Sequence, residues 1–125
     1  MEHVLIVHGF DGLDEITITN STYISELKDN TISEYEISPK DFGLSLGTLS
    51  EISAQSPEDS LQLIREAFSG DKSAVQDMIA LNSGAALYLA KKVKSISDGI
   101  EFSFELMNNG MAADKLASYV RVSNS

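Results

Sequence analysis

Three carboxylates, Asp11, Asp14 and Glu15, crowd together just after an apolar run that ends in His-Gly, in the stretch VLIVHGFDGLDEI at residues 4–16. No Lys or Arg precedes or adjoins them in the sequence. Like charges held this close repel one another unless a cation joins them. Clustered hard oxygen donors suit Mg²⁺ or Ca²⁺. The spacing departs from the calcium loop D-x-[DN]-x-[DN]-G, which makes Mg²⁺ the better match. The same residue types also make an ordinary acidic surface turn, and spacing alone leaves both readings open. The position favours a ligand, because open α/β sheets bind ligands beyond the carboxyl ends of their strands.

A second motif offers different chemistry and fails. LIVHGF resembles the strand and His-Gly turn of α/β-hydrolases, and GLSLG at 43–47 satisfies G-x-S-x-G. That nucleophile elbow needs a buried strand directly before the serine and a helix directly after it. SPKDF at 38–42 cannot be that strand, and no histidine follows His8. Ser45 is therefore a coincidence of pattern. His3 and His8, on either side of the apolar run, read as structural residues rather than ligands. Asn82 and Ser83, inside the most apolar helical stretch, read as packing compromises. No phosphate-binding glycine loop of either common form is present.

Composition narrows the partners. A chain of 125 residues with 42% hydrophobic content fits one domain with one core. The formal charge of −10 argues against nucleic acid and anionic membranes, and an anionic ligand needs a metal bridge. Zero cysteines remove thiolate catalysis and Cys-based zinc sites, and fit a cytoplasmic setting. The longest uncharged helical run, 78–90, is shorter than the roughly 18 apolar residues of a membrane span. The N-terminus lacks the basic start and longer apolar core of a secretory signal.

The elements that must position the carboxylates follow from periodicity. Residues 4–7 are uninterrupted aliphatics, the pattern of a strand buried on both faces of a parallel sheet. Residues 16–19 and 23–27 alternate, Asp29-Asn30 reads as a turn, 32–37 as its return strand, and Pro39 as the stop. Ser56-Pro57 with Asp59 starts a helix whose inward stripe is Leu61, Ile64 and Phe68 and whose stop is Gly70. A second helix spans about 73–91, with small Gly84, Ala85 and Ala86 allowing close packing; Ser95 caps a third that ends near Gly110; a fourth carries Leu116 and Val120 inward. The first strand stands without a preceding neighbour for its sheet.

The order of these segments resembles anthranilate phosphoribosyltransferase. VHGFDGLDEIT carries the specific part of the resemblance, followed by ISEYEISPKDFGL, LIREAFSGDKSAVQDMIALNSGAALYLA and SISDGIEFSFELMNNGMAADKLASYV. The resemblance implies an α/β fold: the C-terminal part of a nucleoside phosphorylase/phosphoribosyltransferase-like α/β domain, with a central strand and antiparallel ribbon followed by helices. It also implies transfer of phosphoribosyl from phosphoribosyl pyrophosphate (PRPP) to anthranilate, with release of pyrophosphate, in tryptophan biosynthesis. By the same resemblance Asp14 and Glu15 are the Mg²⁺ ligands. The family's N-terminal helical domain, glycine-rich PRPP loop and arginine-lined acceptor site have no counterpart in this sequence. The chain alone is accordingly expected to be catalytically incomplete, and to form a homo-oligomer or pair with an N-terminal portion. The alternative is a non-enzymatic binding or scaffold module derived from the same family.

Overall fold

A computed structural model describes residues 3–9, 16–53, 55–70 and 72–110. Three strands, β1 (His3–Gly9), β2 (Thr22–Lys28) and β3 (Thr31–Ile37), form an antiparallel sheet in the order β1-β2-β3. The hairpin between β2 and β3 turns on Asp29 and Asn30, both at positive φ (53° and 62°). A two-residue turn with both central residues left-handed matches the twist of its strands, and Asn and Asp tolerate that conformation best after Gly. After β3, Pro39 opens a short 3₁₀ turn, Pro39–Phe42, capped by Ser38.

One side of the sheet is inward. Thr22, Ile24 and Glu26 of β2 and Ile37 of β3 are buried there, with Leu5, Val7 and Tyr35 packed beside them. The alternation of a strand sends the intervening residues the other way. Val4 is 41% exposed, Ile6 66% and Ile32 71%. This corrects the expectation of a parallel strand buried on both faces. Among the described residues β1 pairs with β2 alone, antiparallel, and its outer side is open. An apolar run states that both sides are greasy, not that both are covered.

Residues 16–19 are the second difference, since they form no strand although Ile16, Thr17 and Ile18 are buried. Their backbone finds side-chain partners instead. The Thr17 amide donates to Thr22 Oγ1 (3.1 Å) and the Thr19 amide to Thr17 Oγ1 (3.1 Å). Threonine hydroxyls compete with sheet ladders in this way.

The helices are α1 (Leu49–Ile52), α2 (Pro57–Phe68), α3 (Ala74–Leu89) and α4 (Ile96–Asn108). Ser56, Ser73 and Ser95 each accept a hydrogen bond from the amide three residues on, at 3.1, 3.0 and 3.0 Å. Each cap satisfies one of the amides that a helix start leaves without an internal partner. Gly70, at φ 90°, closes α2 through its amide to the Ala67 carbonyl. Phe68 packs on the core as expected, while Leu61 and Ile64 are half-buried and Ala67 is the fully buried position. The single turn α1 has no counterpart in the sequence reading. The fourth helix expected around Leu116 and Val120 lies outside the described residues.

The helices α3 and α4 cross at two glycines. A methyl group built on Gly99 would stand 2.4 Å from the Gly84 carbonyl oxygen and 2.8 Å from its Cα. The absence of a Cβ is what allows the two backbones to touch. In the core, Ala80 and Leu81 of α3 and Ile100 of α4 share one cluster with Ile18 and Ile24.

Candidate functional site

Two fixed points flank the acidic segment in the sequence. On one side β1 ends at buried Gly9, in register with Thr22 of β2. On the other the chain re-enters the core at Ile16, which is 2% exposed. Asp11, Asp14 and Glu15 themselves lie outside the described residues. What the structure supplies is the anchor. From α3, Asn82 Oδ1 accepts from the Ile16 amide (3.0 Å) while its Nδ2 donates to the Ile16 carbonyl (2.8 Å) and to the Met78 carbonyl (2.9 Å). One side-chain amide thus pairs with both backbone groups of Ile16 as a neighbouring strand would. Asn82 is therefore more than the packing compromise that its sequence context suggests. Its partner lies 66 residues away in the chain, which no local pattern reveals.

A second polar centre escapes the sequence reading. Glu26, 8% exposed, accepts from Tyr35 Oη (2.7 Å) and Tyr88 Oη (2.5 Å) and meets His3 Nε2 at 2.6 Å. Burial pushes the Glu26 carboxyl up, but hydrogen bonds from Tyr88, Tyr35 and His3 together outweigh it and hold the group below its ordinary value. The Tyr88 phenol is pushed up to about 12, first by its bond to Glu26. Burial and the same carboxylate also push Tyr35 up. His3 has the structural role expected of it, and His8 is exposed. A signal for this centre does exist: Glu26 falls in phase with inward-facing Thr22 and Ile24, so β2 places a charge on its core face. All its donors point inward, and the group ties β1, β2, β3 and α3 together rather than presenting a reacting atom.

The remaining candidates are dispersed. Ser45 is exposed in a loop with neither a strand directly before it nor a helix directly after it. Gly47 of the same pattern is there for packing, since its amide bonds the Ile18 carbonyl (2.9 Å) and a Cβ would meet the Ala74 Cβ at 3.0 Å. Among the described residues no group of three or more His, Asp or Glu could hold a metal ion, and no helix is long and apolar enough to cross a membrane.

The described residues thus form an antiparallel ribbon packed on helices, with Ile16 clasped by α3. The chain belongs to the glycosyl transferase family, a/b domain, whose family model matches residues 1–113. Within that class it is similar to anthranilate phosphoribosyltransferases. The relative from Vesicomyosocius okutanii subsp. Calyptogena okutanii is 42% identical over 122 residues, covering 98% of this chain and 36% of the relative. That from Bacillus pumilus is 48% identical over 117 residues, covering 93% and 34%. Of solved structures, the anthranilate phosphoribosyltransferase from Thermus thermophilus superposes with a TM-score of 0.85 at 28% identity, over 98% of this chain and 36% of that one. A variant of the Saccharomyces cerevisiae enzyme with Mg bound superposes at 0.77 with 25% identity, over 92% and 34%. The chain spans about a third of the length of the curated relatives it matches.

Proposed function

We propose that this chain supplies the Mg²⁺-binding carboxylates, Asp14 and Glu15, of an anthranilate phosphoribosyltransferase acting in tryptophan biosynthesis. The observation that carries the reading is similarity to such enzymes over nearly the whole chain, 42% over 98% of its residues. The donor chemistry fits: two adjacent hard-oxygen ligands suit Mg²⁺. Neighbouring residues of a regular strand point to opposite faces, so for Asp14 and Glu15 to serve one ion the backbone would have to bend, which Gly12 would ease. Asn82 holds Ile16, the residue that follows the pair in the sequence. Asp11 would serve as a turn-former rather than a ligand. Bound Mg²⁺ would neutralise charge gathering on the departing pyrophosphate oxygens. With a net charge of −10, the chain meets an anionic substrate best through such a cation.

PRPP and anthranilate are the substrates of this proposal, and the cytoplasm its setting. Turnover then needs the PRPP loop and acceptor site that this sequence lacks, supplied by a further portion of polypeptide; positioning both reactants contributes much of the rate. The purified chain is expected to leave anthranilate fluorescence unchanged with PRPP and Mg²⁺. The metal assignment is tested by adding Mn²⁺, a paramagnetic stand-in, with pyrophosphate to the ¹⁵N-labelled chain. Amide signals around residues 11–16 should broaden, and Asp14→Asn with Glu15→Gln should abolish the broadening. Equal broadening in the double variant would return the acidic segment to a solvated turn.

A further inference from the structure

A cavity of about 400 Å³ opens at the other end of β1, lined by Lys28, Lys91 and Lys94 together with His3, Tyr88 and Asp29. Seven residues of strand put it about 20 Å from the end of β1 that leads to the acidic segment. The whole chain holds nine Lys and Arg against nineteen Asp and Glu, and three of the nine meet here. Among the described residues none of these ammonium groups is in an ion pair, the one salt bridge there being His3 to Glu26.

The dipole at the end of α3 accounts for a cation at Lys91. It does not account for Lys28, which comes from the hairpin, or Lys94, which precedes α4. The wall behind them is built. The His3 side chain is 6% exposed, its Nε2 is committed to Glu26, and its ring meets Tyr88 edge-on at 4.8 Å. Tyr88 is held from behind by the same carboxylate, and the Lys28 ammonium stands 5.4 Å from the Tyr88 ring centroid, positioned by the ring's negative face. Both Glu26 oxygens are engaged with donors, which leaves Asp29 as the carboxylate at the cavity.

We infer that this cavity binds a phosphate group, free or carried on a small organic molecule, between the ammonium groups of Lys28, Lys91 and Lys94. Lysine serves phosphate as a compact point charge, and three of them lining one cavity could supply charge-assisted hydrogen bonds that need no metal. The Tyr88 ring and Val93 offer apolar contact to an organic remainder. The overall charge of −10 repels anions at long range, so any affinity must be local.

The test uses the full chain, ¹⁵N-labelled, in EDTA and at constant ionic strength, which removes any divalent-dependent binding at the acidic segment. Inorganic phosphate and ribose 5-phosphate are titrated separately. Saturable shifts are expected at Lys28, Asp29, Tyr88 and Lys91. Affinity should fall about tenfold in Lys28→Ala and in Lys94→Ala, the loss of one charged hydrogen bond, and stay unchanged in Lys40→Ala. Lys94→Ala leaves the Lys28–Tyr88 contact intact, so it separates loss of charge from loss of packing. Tighter binding of ribose 5-phosphate would identify an ester as the ligand, and equal binding the free ion. Shifts that do not saturate, or affinity that falls equally in Lys40→Ala, would overturn the site.

Discussion

Replacing Asn82 by Ala removes both hydrogen-bond partners of a backbone that is almost completely buried. Ile16 is 2% exposed, so its amide and carbonyl are left without protein partners and with little access to water. Each unsatisfied buried group costs about 1–3 kcal/mol. The Met78 carbonyl already lies within α3, and losing its extra donor adds little. Ala is the better helix former by about 0.5 kcal/mol, which offsets part of the loss. The expected net destabilisation is about 1.5–5.5 kcal/mol, a large fraction of the roughly 5–15 kcal/mol that holds a domain together. Urea unfolding at neutral pH measures it, and hydrogen exchange at the Ile16 amide localises it. Asn82→Asp should be at least as damaging, because a carboxylate cannot donate to the Ile16 carbonyl. If Asn82→Ala costs less than about 0.5 kcal/mol, the range of ordinary surface changes, and the Ile16 amide stays protected, the anchor has no energetic role.

Glu26→Gln should flatten the acid side of the stability curve. The folded carboxyl sits below its ordinary 4.5, so its contribution is complete above that value and disappears as pH falls through the folded one. Unfolding free energies measured from pH 7 to 3 should converge for parent and variant at the acid end, and parallel curves would refute the assignment. Absorbance titration of the folded chain should leave the Tyr88 phenol largely un-ionised at pH 11, since its bond to Glu26 pushes it up to about 12; ionisation at the ordinary 10 would mean that bond is not made. Gly99→Ala should destabilise by about 1–3 kcal/mol, overpacking outweighing the gain in helix propensity, with thermal denaturation as the measure. An unchanged midpoint would show that α3 and α4 separate freely. Among the described residues the outer edge of β1 has no strand partner, and this edge, flanked by exposed Val4 and Ile6, should pair with a second copy. Sedimentation equilibrium should show concentration-dependent association that Ile6→Lys weakens, and a monomer at all concentrations would count against it.

Local signals are readable in this sequence and distant ones are not. Ser56, Ser73 and Ser95 announce their helices because a cap acts over three residues, and Asp29-Asn30 announces its turn because positive φ selects those types. Residues 16–19 deceive because alternating hydrophobicity describes burial, while their hydrogen bonds come from Thr17, Thr22, Asn82 and Gly47. The aliphatic run of β1 suggests cover on both sides because composition does not say what lies opposite. The anchor and the Glu26 centre both depend on α3, at separations of 66 and 62 residues, and only the fold brings them together. The proposal of Asp14 and Glu15 as metal ligands rests on resemblance and the acidic pattern alone.

Glu26 also polices strand register. The sheet has one open side, and apolar residues such as Ile24, Ile37 and Leu5 could trade places with little loss. Sliding β3 by one residue would turn Tyr35 to the outer side, and sliding it by two would put Ser33 or Ile37 where the phenol belongs. Sliding β1 would carry His3 away in the same fashion. Either error takes one of its three donors from a carboxylate in the core, at a cost of about 1–3 kcal/mol. Tyr88 then adds a check from another layer, because its hydroxyl reaches Glu26 only once α3 has docked on correctly paired strands. Greasy side chains make this sheet cohere, and a single buried charge decides which of its possible alignments survives.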